Sequence, residues 1–104
     1  MYKGITPTFT LTLPEDIDLG YAQHVYVTLG RKGNAILQKS DDDLAIDANT
    51  IEVYLNQAET LSLPEGTVQI QVNWTYQEAG ETKRACSEIA TTYWKPNLED
   101  GVLA

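Results

Sequence analysis

The strict alternation of apolar and polar residues between Thr67 and Tyr76 constrains the fold more than any other feature of the sequence. The apolar positions are Val68, Ile70, Val72, Trp74 and Tyr76, and the polar positions between them are Gln69, Gln71, Asn73 and Thr75. Because successive side chains of a β-strand point to opposite faces of the sheet, a period of two predicts a strand with one buried and one solvated face. The rings of Trp74 and Tyr76 share the aliphatic face and are therefore predicted to lie in the core.

The same alternation recurs along the chain and predicts about seven strands. They are placed at 8–13, 24–29, 35–39, 44–46, 50–55, 67–76 and 82–94. Glycine, asparagine and aspartate mark turns between them, at 30–34, 47–49 and 78–81. No intervening segment has room for a crossover helix, so the strands are expected to pair antiparallel. The pattern favours an all-β, immunoglobulin-like sandwich of two antiparallel sheets, with a small closed barrel as the alternative.

The chain of 104 residues has the usual length of one domain. Because Pro96 stops the last strand, we assign a single sandwich domain to residues 1–95 and a C-terminal tail to residues 96–104. Within the domain, Asn56 and Glu59 have the spacing of a capping box, in which the asparagine is the N-cap and the glutamate is the third helical residue. This spacing predicts a single helical turn after the strand at 50–55.

The charge balance argues against several classes of partner. Fifteen acidic residues against seven basic ones give a formal charge of −8, which repels the phosphates of nucleic acids and the surface of anionic membranes. No apolar run approaches the roughly 20 residues that span a bilayer, and the first seven residues lack the apolar core of a signal peptide. Cys86 is the single cysteine, so no intrachain disulfide forms. We therefore expect no nucleic-acid or membrane partner, and synthesis in the cytoplasm.

The residues that could carry catalysis are few. Nucleophilic catalysis needs a nucleophile, a base and an orienting group in contact, and His24 and Cys86 are the single histidine and the single thiol. They could meet, with Glu88 as the third member, if the second and the last strands adjoined. The simpler interpretation is a solvent-facing histidine and a small cysteine within a sheet. The sequence thus predicts a non-enzymatic protein with no catalytic residues and no cofactor.

The acidic stretch between residues 41 and 49 suggests a calcium loop, since hard cations bind several oxygen ligands. Its candidate ligands are Asp41, Asp42, Asp43, Asp47 and Asn49. Ala45 and Ile46 fall where an EF-hand places ligands and its turn glycine, and no glutamate follows at the bidentate position. We therefore interpret the stretch as a solvated acidic loop and predict no metal site.

Four aromatic rings are candidates for an interface. Tyr26 and Tyr54 alternate out of register with the aliphatic faces of their strands, so they are expected to face solvent or another subunit. Tyr93 and Trp94 are adjacent at a strand end, where one of the two must leave the core. If these rings gather, they form an interface or a ligand platform, and if they do not, they are scattered exposed side chains.

Two segments carry a resemblance to a known group of proteins. Residues 50–61 read TIEVYLNQAETL and residues 66–72 read GTVQIQV, and the stretches at 6–11 and 39–44 are similar as well. This pattern resembles small proteins encoded among the structural genes of tailed bacteriophages and prophages, and the domain is similar to the immunoglobulin-like N-terminal module of phage upper baseplate proteins. The resemblance implies a non-enzymatic virion structural or adaptor protein that assembles with other virion proteins and with copies of itself. It implies a location in the virion after synthesis in the bacterial cytoplasm.

A second function remains open at the level of sequence. A module that binds carbohydrate or a protein partner would use exposed aromatic rings, and Tyr26, Tyr54 and Trp94 are the residues that it would use.

Overall fold

The described part of the chain, residues 1–98 and 101–103 of a computed structural model, contains eight β-strands and one short α-helix. The strands are β1 (Thr8–Thr12), β2 (His24–Arg31), β3 (Asn34–Ser40), β4 (Leu44–Asp47), β5 (Thr50–Tyr54), β6 (Gly66–Glu78), β7 (Glu81–Cys86) and β8 (Ala90–Trp94). The helix α1 spans Gln57–Ser62, and short 3-10 helices span Leu19–Tyr21 and Asp41–Asp43.

The strands form two antiparallel sheets, which confirms the predicted all-β sandwich. The three-stranded sheet has the order β1-β5-β4, and the five-stranded sheet has the order β3-β2-β6, with β7 and β8 on the far side of β6. This order corresponds to the B-E-D and C′-C-F-G sheets of an immunoglobulin-like domain. No strand of one sheet pairs with a strand of the other among the described residues. The two sheets therefore pack as layers and do not close into the alternative barrel.

Buried apolar side chains from both sheets fill the space between them. This set comprises Leu13, Leu19, Val25, Val27, Leu29, Ile51, Val53, Leu55, Leu63, Val68, Ile70, Val72 and Trp94. Eight of these thirteen come from alternate positions of β2, β5 and β6, as the period of two predicts. Burying each large aliphatic side chain stabilises the sandwich by about 1.5–3 kcal/mol relative to exposure.

The predicted final strand at 82–94 is two strands, β7 and β8, separated by a bulge. Asn73 lies opposite Cys86 and Ile70 lies opposite Ala90, so one extra residue enters this strand between the two pairs. At the bulge the Ser87 backbone N–H donates to the Val72 carbonyl (2.8 Å), and the Ser87 Oγ accepts from the Val72 N–H (3.0 Å). The backbone N–H and carbonyl of Val72 thus keep hydrogen-bond partners at the bulge, although the register shifts by one residue.

Tight two-residue turns connect the strands of two hairpins, at positions where the sequence predicts turns. Lys32 and Gly33 connect β2 to β3 with φ of 51° and 79°, and Ala79 and Gly80 connect β6 to β7 with φ of 53° and 78°. Two consecutive positive φ values identify type I′ turns, whose twist matches that of paired strands. Just before the first turn, Gly30 lies so close to the partner strand that a Cβ would come within 2.2 Å of the Asn34 carbonyl oxygen.

The capping box predicted at α1 is confirmed atom by atom. Asn56 Oδ1 accepts from the Glu59 N–H (2.8 Å), and Glu59 Oε1 accepts from the Asn56 N–H (2.9 Å). The other carboxylate oxygen of Glu59 lies 2.7 Å from the Nζ of Lys39, and both side chains are mostly buried. Lys39 belongs to β3, so this ion pair ties the five-stranded sheet to the helix that follows the three-stranded sheet.

Strand β6 has two halves that differ in burial. In the proximal half, residues 66–72, Val68, Ile70 and Val72 are buried. In the distal half, residues 73–78, Trp74 is partly buried against the core, and Tyr76 is partly exposed and lies outside the core cluster. The prediction that Tyr76 belongs to the core is therefore wrong, and that for Trp74 is correct only at the margin of the core.

The lengths of the strands explain this difference. The strands of the three-stranded sheet have four or five residues, whereas β6 has thirteen and extends for about 43 Å at 3.3 Å per residue. The distal half therefore faces the loop between β1 and β2, and Asp16, Ile17 and Tyr21 of that loop line an open space beside Trp74 and Tyr76.

The C-terminal segment contacts the rest of the molecule through α1. Gln57 and Leu103 exchange two hydrogen bonds, from Gln57 Nε2 to the Leu103 carbonyl (3.0 Å) and from the Leu103 N–H to Gln57 Oε1 (2.7 Å). The boundary between a domain at 1–95 and a tail at 96–104 stays a prediction.

Candidate binding face

The four aromatic candidates lie in three different places: on the outer face of each sheet and in the core. Tyr26 is half-buried on the outer face of the five-stranded sheet, and Tyr93 is 58% exposed on the same face. Tyr54 is 50% exposed on the outer face of the three-stranded sheet, across the sandwich. Trp94 is completely buried in the core. The expectation that Trp94 takes part in an interface or ligand platform is therefore wrong.

The bulge explains the position of Trp94. After the extra residue, Ile89, Thr91 and Tyr93 point to the outer face, and Trp94 lies opposite Gly66 on the core face. A Cβ at Gly66 would meet the Arg31 guanidinium, 2.6 Å from its Nη2, and the φ of 99° at this position also favours glycine.

Tyr26 and Tyr93 share a face but not a site. Tyr26 pairs with Asn73, and Tyr93 pairs with Thr67 on the opposite side of β6. Six positions of β6 separate these two pairs, which corresponds to about 20 Å along the strand. The outward rings are therefore scattered, and no platform of several rings forms among the four candidates.

His24 and Cys86 do not come together. Strand β6 lies between β2 and β7, so the two residues stand on opposite sides of the central strand. The His24 Nδ1 lies instead 3.3 Å from Asp41 Oδ2. The pKa of Asp41 is lowered, chiefly because its carboxylate accepts a hydrogen bond from its own backbone N–H and in part because of His24. The imagined arrangement of Cys86, His24 and Glu88 is thus not present.

The acidic stretch is divided between two local structures. Asp41, Asp42 and Asp43 form a 3-10 helix, whereas Asp47 and Asn49 belong to the hairpin between β4 and β5. Within residues 1–98 and 101–103, no group of three or more histidine, cysteine or acidic side chains is placed to hold a metal ion. In the same residues no helix has the length and apolar character needed to cross a membrane.

The outer face of the five-stranded sheet, which alternation predicts to be solvated, carries a polar surface with two cavities, in whose lining Arg84 is the charged side chain. A cavity of about 240 Å³ on it is lined by Tyr26, Thr28, Gln38, Asn73, Trp74, Thr75 and Arg84. A second cavity of about 120 Å³ shares Thr28 with the first and is lined by Gln69, Gln71, Ile89 and the β2–β3 hairpin. We call the surface formed by these two groups of residues the amide face.

Hydrogen bonds within the protein orient the three amides that β6 contributes to this surface. Asn73 Oδ1 accepts from the Nε and Nη2 of Arg84 (3.1 and 2.9 Å). Gln71 Nε2 donates to the Ser87 carbonyl (2.9 Å), and Gln69 Oε1 accepts from the Gly33 N–H (3.1 Å). Because arginine and backbone N–H groups are donors and a carbonyl is an acceptor, each partner fixes which end of the amide it engages. The amide groups that these bonds do not use are an N–H donor at Asn73, a carbonyl acceptor at Gln71 and an N–H donor at Gln69, in that order along the strand.

One hydroxyl in this surface has no partner. The Thr75 Oγ1 is shielded from solvent and makes no hydrogen bond to any of the described residues, although Thr75 lines the larger cavity. A buried hydroxyl without a partner costs about 1–3 kcal/mol. Because water does not reach this oxygen, it is a local energetic cost beneath the cavity wall and not a group that the cavity presents to a ligand.

A signal for this surface was present in the sequence. Every second residue from Thr67 to Gln77 is a threonine, an asparagine or a glutamine, in a chain with fifteen acidic residues. Periodicity identifies these positions as one face but does not distinguish a functional polar surface from an ordinary solvated one.

No family model matches this chain, and no curated protein and no solved structure matches it.

Proposed function

We propose that this protein is a non-enzymatic structural or adaptor subunit of a tailed phage particle, in the baseplate, the tail or the head-associated parts, that works by assembly with other virion proteins and with its own copies. The proposal rests on the resemblance of residues 50–61 and 66–72 to phage structural proteins. A sandwich that offers open strand edges is compatible with such a role, since added strands can pair with a free edge.

The observation that best supports assembly is the composition of the edge strand β3. Soluble proteins protect edges with charged side chains, and β7, at the opposite edge, carries the exposed Lys83 and Arg84. Within Asn34–Ser40, the single charge is Lys39, which is turned inward to Glu59. The bulge at Ile36 gives β3 some protection, but Ile36 itself is 42% exposed. Strands β1 and β8 also carry no charge, so the choice of β3 rests on the exposed aliphatic side chain of Ile36, and we assign this edge to subunit contacts.

Oligomer state and particle content test the proposal. We expect light scattering on the purified protein to show a species larger than a monomer at high concentration, and mass spectrometry to find the protein in purified particles. The variant Ile36→Lys places a charge on the edge of β3 and should shift the protein to monomer. Tyr21→Lys, at a loop position that is 83% exposed, is the matched control and should leave the oligomer unchanged.

A strict monomer at every concentration, together with absence from purified particles, contradicts the proposal. Loss of the oligomer in both variants would show that β3 is not the contact strand.

A platform of several aromatic rings for a glycan or protein ligand has no support from this arrangement, because Trp94 is buried and Tyr54 lies across the sandwich from Tyr26.

A further inference from the structure

We propose that the amide face binds a neutral oligosaccharide. The site is different from the ring platform considered above, because it uses the amides and hydroxyls of β2, β3 and β6 together with the ring of Tyr26. It does not depend on the subunit contact proposed at Ile36 or on any role in a particle.

The first argument is charge complementarity. The protein has a net charge of −8, yet none of the described residues that line the two cavities is acidic, and Arg84 is the charged residue among them. The guanidinium of Arg84 is already engaged with Asn73 Oδ1. A polyanion would be repelled by the surrounding protein, and a cation would find no carboxylate in the cavities. A neutral polar ligand matches this surface best.

The second argument is the order of the hydrogen-bonding groups. The amides of Asn73, Gln71 and Gln69 present a donor, an acceptor and a donor along one strand, and every second residue of a strand is separated by about 7 Å. A sugar hydroxyl both donates and accepts, so a chain of sugars can satisfy either kind of group in succession.

The shape of the surface suits a ligand with more than one unit. Thr28 lines both cavities, and their volumes together reach the lower end of the roughly 300–1,000 Å³ range of small-ligand sites. The half-buried ring of Tyr26 lines the larger one and offers an apolar surface with a polar tip, against which the C–H groups of a sugar ring can pack. Two neighbouring depressions fit consecutive sugar units better than a single compact metabolite.

A second copy of the chain is the competing occupant. Stable contacts between copies depend on a core of apolar residues. On the amide face the exposed large apolar residue that borders a cavity is Ile89, whereas amides and hydroxyls line most of the rest. Burying these polar groups against another protein would require a matching partner for each of them. We therefore assign the surface to a sugar and leave self-association as an outcome of the test.

Nuclear magnetic resonance titration of isotope-labelled protein tests the proposal, with maltotriose, cellotriose and triacetylchitotriose as probes. At least one of these neutral trisaccharides should shift the amide signals of β2, β3 and β6 while those of β1, β4 and β5 stay in place. The variant Asn73→Asp keeps the acceptor for Arg84 but removes the free donor, and should weaken binding by about tenfold.

The matched control is Asn56→Asp. It makes the same change of an amide to a carboxylate and keeps the acceptor of the helix cap, because aspartate is an equally good N-cap residue. It lies beyond β5, away from the amide face, and should leave sugar binding unchanged. If Asn73→Asp melts far below the parent protein, Gln38→Glu serves in its place, since Gln38 is exposed on β3 and lines the same cavity.

Three results would overturn the proposal. The first is the absence of a shift with all three sugars. The second is equal weakening by Asn73→Asp and by Asn56→Asp. The third is a set of shifts in β2 and β6 that follows protein concentration without sugar, which would make the face a contact between copies. None of these results depends on the oligomer formed through β3, so the assembly proposal stands or fails separately.

Discussion

The proximal and distal halves of β6 carry the same sequence pattern but have different surroundings. Val68, Ile70 and Val72 in the proximal half are 0–6% exposed, whereas Trp74 and Tyr76 in the distal half are only partly covered. Both halves belong to antiparallel ladders, with β2 on one side and with β8 or β7 on the other, and the bulge at Ser87 interrupts the second ladder. The backbone is therefore paired in both halves, and the two halves differ in what lies above the sheet.

Alternation within a strand therefore predicts which face of the sheet a side chain lies on, but not how deeply that side chain is buried. A period of two places alternate side chains on one side, but a second layer must be present to bury them. The three-stranded sheet supplies that layer above the proximal half, and the loop between β1 and β2 covers the distal half incompletely. The predictions below test whether the two halves differ in stability as they differ in burial.

The largest expected effect separates the two tryptophans. Trp94 is completely buried opposite the start of β6, so Trp94→Ala should lower the free energy of unfolding of the protein by about 3–5 kcal/mol. Trp74→Ala in the distal half should cost about 1–2 kcal/mol, because its ring is only partly buried. Urea denaturation of both variants measures the difference. Equal losses would show that the distal half is packed as tightly as the proximal half.

The ion pairs of the two regions offer a second contrast. Lys39 and Glu59 have side chains 11% and 18% exposed, whereas Lys83 and Glu78 near the distal tip are 43% and 60% exposed and 3.9 Å apart. Glu59→Gln keeps the capping hydrogen bond but leaves the Lys39 ammonium without its counter-ion, and should cost about 1–3 kcal/mol. Glu78→Gln should cost less than about 0.5 kcal/mol.

Thermal and urea unfolding of these two variants provide the measurement. A loss at Glu78 as large as the loss at Glu59 would contradict the view that burial, and not the presence of an ion pair, sets the energy.

A smaller effect is expected at the hairpin turns. Ala79 at the distal tip and Ala48 between β4 and β5 have φ of 53° and 52°, a region that asparagine tolerates better than alanine. Asparagine at either position should stabilise its turn by about 0.5–1 kcal/mol. At Ala48 the gain should appear in global stability, because that hairpin belongs to the packed sandwich. At Ala79 it should appear mainly as slower hydrogen exchange of the tip amides of β6 and β7.

Hydrogen exchange and thermal melting distinguish the two outcomes. If Ala79→Asn raises the melting temperature as much as Ala48→Asn, the distal hairpin unfolds together with the core.

The smallest effect concerns pH at the distal half, where His24 lies opposite Thr75 and contacts Asp41. The pKa of Asp41 is lowered below its ordinary value of 3.8, mainly by the hydrogen bond from its own backbone N–H. A carboxylate with a depressed folded-state pKa contributes stability above its unfolded value and loses that contribution as the pH falls through the folded value. Asp41→Asn should therefore reduce the fall in melting temperature between about pH 5 and about pH 2. An unchanged acid slope would contradict this role.

Much of the fold could be predicted because its signals are local. The hairpin turns at Lys32-Gly33 and Ala79-Gly80 and the capping box at Asn56 depend on residues within four positions of one another, and the structure confirms them. The bulge at Ser87 could not be predicted, because it depends on the hydrogen bonds between this strand and Val72, on a strand fifteen residues earlier. With the bulge unknown, the side of Trp94 could not be assigned.

The candidate site divides in the same way. The uncharged residues of β6 are readable as one face, but their orientation is set by distant partners: Arg84 for Asn73, Ser87 for Gln71 and Gly33 for Gln69. The two cavities that Thr28 lines exist only when β2, β3 and β6 lie side by side.

The sequence by itself determined the strands, their faces, the turns and the helix cap, since each follows from backbone geometry over a few residues. The tertiary structure alone decided how deeply each side chain is buried and which residues it contacts. It determined which half of β6 a second sheet covers, where the extra residue enters the last strand, and which aromatic rings reach the surface. The physical reason is that burial and hydrogen-bond partners are properties of pairs of elements distant in the chain, and alternation within one strand contains no information about the layer opposite it.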